Sequence, residues 1–224
     1  RISDHHLITE PSGRANLLIE GRSSSSIHFV GNTMIDTMVA FQDRIAGSTI
    51  LQDMNIRSGE FALITMHRPA TVDDKQELDR LLEILQFLAS DLSVVYPVHP
   101  RTRSNLFKHG LWERLIVIDR LFITEPLDYF AFQKLMASSF FVLTDSGGIQ
   151  EETTFLGVPC LTLRPNTERP ITIDLGTNEL VQSLAEIETA VEKIRAGNWK
   201  KGKIPELWDG HATERVIEVL RTVL

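Results

Sequence analysis

From Glu60 onward, short runs of nearly continuous apolar residues alternate with longer stretches of helical period, and this alternation admits few folds. Five runs read as strands, at 61–66, 93–98, 115–118, 140–144 and 160–163. Each is apolar at almost every position, as a strand covered on both faces must be, and such strands belong to parallel sheets wrapped by helices. Between the first two, Leu78, Leu81, Leu82, Leu85 and Leu88 form one apolar stripe, which predicts an amphipathic helix over about 74–90. Shorter helical segments follow near 102–109, 127–137 and 148–155. The order β-α-β-α-β-α-β-α-β with right-handed crossovers gives an α/β fold, a doubly wound, Rossmann-like parallel sheet.

The first fifty residues differ in kind. Pro11 opens a short helix that Gly21 stops, 27–30 is a single strand, and Asn32 or Thr33 caps a helix that turns Ile35, Met38 and Val39 inward. One strand and two helices do not close a domain. Beyond the sheet, 185–196 and 212–224 read as helices joined by an exposed basic loop. Lys and Arg number 23 against 30 Asp and Glu, a formal charge of −7, so the basic stripe that a phosphate backbone demands is missing and nucleic acid is not an expected partner. Residues that are 42% hydrophobic and 24% charged exclude a disordered chain. No run approaches the roughly 20 apolar residues of a membrane span, and Arg1 to His6 carry no signal-peptide core. A lone cysteine, Cys160, sits inside an apolar run; it excludes an internal disulfide and a thiolate metal site, and it points to a reducing compartment such as the cytoplasm.

Chemistry concentrates in Leu143-Thr-Asp-Ser-Gly-Gly-Ile-Gln-Glu-Glu. A strand ends, Ser146, Gly147 and Gly148 make the turn, and a helix begins, so free amides face outward at the positive end of a helix dipole. Such a turn can cradle a diphosphate, with the Ser146 hydroxyl donating and Glu151 or Glu152 accepting from ribose hydroxyls; equally, it can be a plain βα turn with an acidic first helical turn. Ligands of open α/β sheets bind beyond the carboxyl ends of the strands, and three of the five strands place His or Arg there: His67 and Arg68, His99 and Arg101, Arg164 and Arg169. A histidine titrates near neutrality, so His67 can act as acid, base or charge stabiliser. Phe132 fits either the core or a stack against a base. The other histidines share no metal-ligand spacing, and no metal is expected.

Together with Tyr96-Pro-Val-His-Pro, Glu125-Pro-Leu-Asp-Tyr, Leu163-Arg-Pro-Asn-Thr-Glu-Arg-Pro and Asp209-Gly-His-Ala-Thr-Glu-Arg, the segments Thr65-Met-His-Arg-Pro and Thr144-Asp-Ser-Gly-Gly-Ile-Gln-Glu-Glu resemble the UDP-N-acetylglucosamine 2-epimerase family, in order and along essentially the whole chain. The resemblance implies half of a glycosyltransferase-B type fold, in which two α/β domains face each other across a cleft. On that pattern 1–50 is the end of an N-terminal domain and the interdomain connection, 51–208 the nucleotide-binding domain, and 209–224 a helix packing back toward the first domain. It further implies interconversion of UDP-GlcNAc and UDP-ManNAc by elimination of UDP to an enzyme-bound glycal and re-addition after proton exchange at C2, without a cofactor, in a homodimer that supplies cell-surface polysaccharide synthesis. By motif position, Ser146, Gly147 and Gly148 hold the diphosphate, Glu152 the ribose and Arg169 the phosphates, Phe132 lies against uracil, Arg68 and His99 line the UDP site, and His67 is the functional histidine beside the diphosphate. The family's sugar-side acidic residues belong upstream of Arg1, so these 224 residues are expected to bind UDP without turnover on their own. Arg68-Pro-Ala-Thr departs from the family's frequent Arg-Arg-Glu-Asn, and Gln182 stands where Gly is usual. A glycosyltransferase of the same architecture and a non-catalytic nucleotide-sugar module are the alternatives.

Overall fold

The computed structural model describes residues 2–223. Eight strands lie among them: β1 (His6–Ile8), β2 (Ile27–Phe29), β3 (Phe61–Thr65), β4 (Ser93–Pro97), β5 (Leu121–Thr124), β6 (Phe141–Thr144), β7 (Cys160–Leu163) and β8 (Asn178–Val181). The last six form one sheet in the order β5-β4-β3-β6-β7-β8, every neighbouring pair parallel. The chain starts at β3, winds outward through β4 to β5, then returns to β3's other side and winds outward again from β6. That reversal is the topological switch point of a doubly wound sheet, and it falls between β3 and β6.

Helices cover both faces. Asp74 caps the Lys75–Ala89 helix by accepting the Gln76 amide at 2.7 Å, and its leucine stripe is buried against one face with Ile187, Val191 and Ile194 of the Leu184–Arg195 helix. Under the opposite face, Phe61, Leu63, Val95 and Val142 meet Leu135 and Met136 of the Tyr129–Ser138 helix. Burial on both sides is why β3 and β4 read as unbroken apolar runs.

Three local expectations need correction. Residues 115–118 are not a strand: Trp112–Ile116 is helical, and the third strand of the sheet is β5, five residues further on. Leu111 and Leu115, four apart, are buried while Ile116 and Val117 are 46% and 76% exposed, which is the footprint of one helical face. β8 and the Pro170–Asp174 helix add elements where the sequence reading placed none, because Asn178-Glu-Leu-Val mixes polar and apolar residues on an edge strand. In the first fifty residues, β1 joins β2 as a second, two-stranded parallel sheet.

That leading segment is fastened to the end of the chain. Asn32 caps the Thr33–Ala40 helix through the Met34 amide at 3.0 Å, and Ile35 and Met38 bury against Ile171 and Trp208. Asp36 accepts the amides of Ala212 and Thr213, at 3.0 and 2.6 Å, at the start of the Ala212–Val223 helix, and the Trp208 indole donates to the Thr9 carbonyl at 3.0 Å. Gly31 has φ +90°, and a Cβ there would stand 2.1 Å from the Leu207 carbonyl oxygen, so two backbones touch where only glycine fits.

Leu82 is 1% exposed in the middle of the main core cluster. Leu82→Ala should therefore destabilise the chain by roughly 2–5 kcal/mol in denaturant unfolding while leaving the ligand preference of the folded protein unchanged.

Candidate functional site

The switch point is closed by one buried carboxylate. β6 ends at Thr144, and the next residue, Asp145, is fully buried. Its Oδ2 accepts the amides of His67 at 2.9 Å and Arg68 at 2.8 Å, just past the end of β3, and its Oδ1 lies 3.0 Å from His67 Nδ1. Burial alone would raise the Asp145 pKa, but the His67 ring and the two amides outweigh it and hold the carboxyl below its usual range. Asp145 in turn raises the His67 pKa, chiefly through their hydrogen bond and against partial burial. The imidazole is thus oriented and biased toward its charged form. Sequence reasoning quoted Asp145 without giving it a role; an acid directly before Ser-Gly-Gly at a strand end was the available signal.

Ser146 takes the N-cap position of the Gly147–Leu156 helix, so the amide-rich turn opens beside His67. The two glycines face different ways. A Cβ on Gly147 would come 3.5 Å from Glu168 Oε1 and 4.0 Å from Arg68 Nη2, whereas one on Gly148 would meet Met34 Cε at 3.0 Å. Gly147 therefore leaves room toward the rim, and Gly148 makes room for the Thr33–Ala40 helix. Arg68 Nη2 donates to Glu168 Oε1 at 3.1 Å and Arg164 Nη1 lies 2.8 Å from Glu168 Oε2. Although partial burial works the other way, the Glu168 backbone amide and the two guanidiniums bring that carboxyl down to about 2. Glu168, absent from the sequence-derived candidates, thus stands as a fixed anion over the turn.

One helical turn further, Gln150, Glu151 and Glu152 are all buried. Glu151 Oε1 is 3.1 Å from Arg169 Nε and also accepts from Asn32 Nδ2 at 3.1 Å, and Glu10 Oε2 accepts the Ile171 amide at 3.2 Å close by. Burial raises Glu151 and Glu10 despite the Arg169 charge. It carries Glu152 up to about 7, with the Gln133 side chain opposing and Glu151 adding to the rise. His99 is exposed and caps the Pro100–Lys108 helix by accepting the Arg101 amide on Nδ1 at 3.2 Å. Its ring centroid is 5.5 Å from that of His67. His67, Arg68, His99, Ser146, Gly147 and Arg169 therefore collect on one edge of the sheet. Phe132 is half-buried on the Tyr129–Ser138 helix and packs against the core beneath that edge.

To an anion this edge offers amides and a helix dipole from one side and, from the other, an imidazole biased toward its charged form and guanidiniums that are each paired with a carboxylate. Residues 1–221 match the family model described as UDP-N-acetylglucosamine 2-epimerase. The chain belongs to the UDP-N-acetylglucosamine 2-epimerase family. It is 33% identical to the UDP-N-acetylglucosamine 2-epimerase of Methanocaldococcus jannaschii over 98% of this chain and 61% of that protein. The crystal structure of the M. jannaschii UDP-GlcNAc 2-epimerase in complex with UDP-GlcNAc and UDP superposes with a TM-score of 0.89 at 32% identity, over 99% of this chain and 62% of that one. The Neisseria meningitidis UDP-GlcNAc 2-epimerase bound to UDP-GlcNAc gives 0.85 at 29% identity, over 98% and 62%. The chain thus spans about three-fifths of the length of these epimerases. Its fold is the family's glycosyltransferase-B-like α/β architecture. The expectation of a half-enzyme without turnover finds no support in matches that run along nearly the whole chain. Among the described residues, no helix is long and apolar enough to cross a membrane.

The raised carboxyls make stability fall with pH. A carboxyl that titrates near 7 when folded and near 4.5 when unfolded keeps its proton more tightly in the folded state, so between those values each step up in pH favours unfolding. His67 acts in the same direction, since its pairing with Asp145 is lost as pH rises through its raised pKa. Unfolding free energies measured at pH 5 and pH 8 should differ by an amount to which Glu152 contributes on the order of 3 kcal/mol, and Glu152→Gln should flatten that part of the slope.

Proposed function

We propose that this edge seats the diphosphate of a UDP-sugar and that the protein interconverts UDP-GlcNAc and UDP-ManNAc. The observation that carries this reading is the Asp145–His67 pair bridging β6 and β3 beside the Ser146-Gly147 turn. In this reading the amides of Gly147 and Gly148 and the Ser146 hydroxyl hold the diphosphate, and Arg68 and Arg169, each now on a carboxylate, turn part of their donor sets to phosphate oxygens. Glu152 accepts from the ribose, Phe132 lies against uracil through its exposed part, and His99 completes the outer rim. His67, biased toward its charged form by Asp145, stabilises the negative charge that builds on UDP as its bond to the sugar breaks and returns that stabilisation when UDP adds back. In the same reading 1–50 is the end of an N-terminal domain and the interdomain connection, 51–208 the nucleotide-binding domain and 209–224 the helix that packs back toward the first domain.

Two measurements test this. Calorimetric titration should show binding of UDP and UDP-GlcNAc in preference to GDP. Gly147→Val should weaken UDP by about tenfold or more by pushing a side chain into the Glu168–Arg68 space, and Arg169→Ala should cost roughly 1.5–3 kcal/mol of UDP binding. Equal affinity for all three nucleotides would sink the seat. Separately, proton NMR of UDP-GlcNAc incubated with the protein in D₂O should show loss of the C2 proton together with appearance of UDP-ManNAc, with the rate falling as pH rises through the elevated His67 pKa. UDP binding without C2 exchange would favour the non-catalytic module.

A further inference from the structure

The amide turn and Arg169 come from different parts of the fold, the first from the start of the Gly147–Leu156 helix and the second from the loop after β7. A site that clamps one diphosphate between them needs their separation held to within a fraction of an ångström. Arg169's guanidinium rides on a long flexible stem, so what can be held is its backbone.

That backbone is tied on both sides. The Arg169 amide donates to Thr167 Oγ1 at 2.9 Å, and its carbonyl accepts from Thr172 Oγ1 at 2.7 Å. Both threonines then lead to the same place. Thr167 Oγ1 donates to Gln150 Oε1 at 2.6 Å; Asn178 Nδ2 donates to Thr172 Oγ1 at 3.1 Å and to Gln150 Oε1 at 3.2 Å. Gln150 Nε2 donates to the Ser146 carbonyl at 3.1 Å, at the turn itself. Thr162 Oγ1 on β7 occupies the remaining Asn178 acceptor at 2.7 Å. Gln150, Thr162, Thr172 and Asn178 are each fully buried. Among the four fully buried members an unpaired polar atom is costly, so their bonds to one another hold the network's geometry.

We infer that Gln150 and Asn178, acting through Thr167 and Thr172, are positioning residues that set the distance between the Ser-Gly-Gly turn and Arg169, and so govern affinity for the phosphates of the nucleotide but not for its nucleoside. The inference rests on the reading of this corner as a diphosphate seat. None of the four touches the ligand in that reading; they act on what does.

Thr167→Val keeps the side chain's shape at a half-buried position and removes the hydroxyl that both accepts from Arg169 and donates to Gln150; Thr167→Ser puts the hydroxyl back. Calorimetry with UDP and NMR titration with uridine, on the whole chain, should show Thr167→Val losing about tenfold in UDP affinity with its uridine affinity unchanged, and Thr167→Ser recovering UDP binding. Thr172→Val, which cuts the tie on the Arg169 carbonyl, should show the same UDP-selective loss. If UDP and uridine weaken together, or if UDP affinity is untouched in both valine variants, the network is only structural and the inference is overturned. Failure of Thr167→Ser to recover binding would overturn it as well. A wild-type chain that does not bind UDP at all would remove the seat itself, a result distinct from wild-type binding that the valine variants leave intact.

Discussion

A single buried carboxylate holds the centre of this molecule together. Asp145 sits where the sheet changes winding direction, and by accepting two amides and an imidazole it joins the ends of two strands that neither share a loop nor adjoin in sequence. A buried ionised carboxyl is expensive unless nearly all of its lone pairs are used, so the neighbours that satisfy Asp145 are constrained in turn. His67 has one orientation available, Arg68 leaves the strand in one direction, and the Ser-Gly-Gly turn starts from a fixed point. The geometry of this corner follows from making a costly group tolerable.

Around that point the charges are arranged in layers. Arginines at the rim are each matched to a carboxylate, Arg68 and Arg164 to Glu168 and Arg169 to Glu151, while a second rank of acids lies deeper. The chain carries more acid than base as a whole, yet Arg68, Arg164 and Arg169 meet at the edge to which the dipole of the Gly147–Leu156 helix points. Net charge therefore says little about what this protein binds, and the local arrangement says much. Pairing of this kind holds each guanidinium near one position while leaving other N–H donors free to meet a second acceptor.

Much of this was legible in the amino-acid sequence, for reasons that also explain the misses. β3, β4, β6 and β7 are central, so covering both faces wrote continuous apolar runs into them, and the Lys75–Ala89 helix wrote its stripe of leucines just as plainly. Edge elements carry weaker marks. β5 is only half-buried along its four residues, and the apolar cluster at 115–118 nearby outcompeted it although a run of four cannot distinguish helix from strand. β8 hides a buried Asn178 inside a strand, a residue that serves hydrogen bonding rather than packing. At the site, His67, Arg68, Ser146 and Gly147 were found by their place at strand ends. Asp145, Glu168 and Gln150 were overlooked because their partners lie up to 78, 100 and 28 residues away, and only Asp145, an acid before Ser-Gly-Gly at a strand end, left a local mark. The two glycines looked alike in sequence and differ only in what surrounds them.

Asp36 and Thr9 find their partners only in the final segment of the chain, at residues 208–213. On a ribosome adding roughly 5–20 residues per second, the first fifty residues emerge about eight to thirty-five seconds before the Ala212–Val223 helix. Throughout that interval Ile35 and Met38 lack Trp208, so their cluster with Ile171 is completed only as the last residues are added. Closing of the leading segment is thereby among the last packing events in the synthesis of a chain whose sheet can assemble strand by strand.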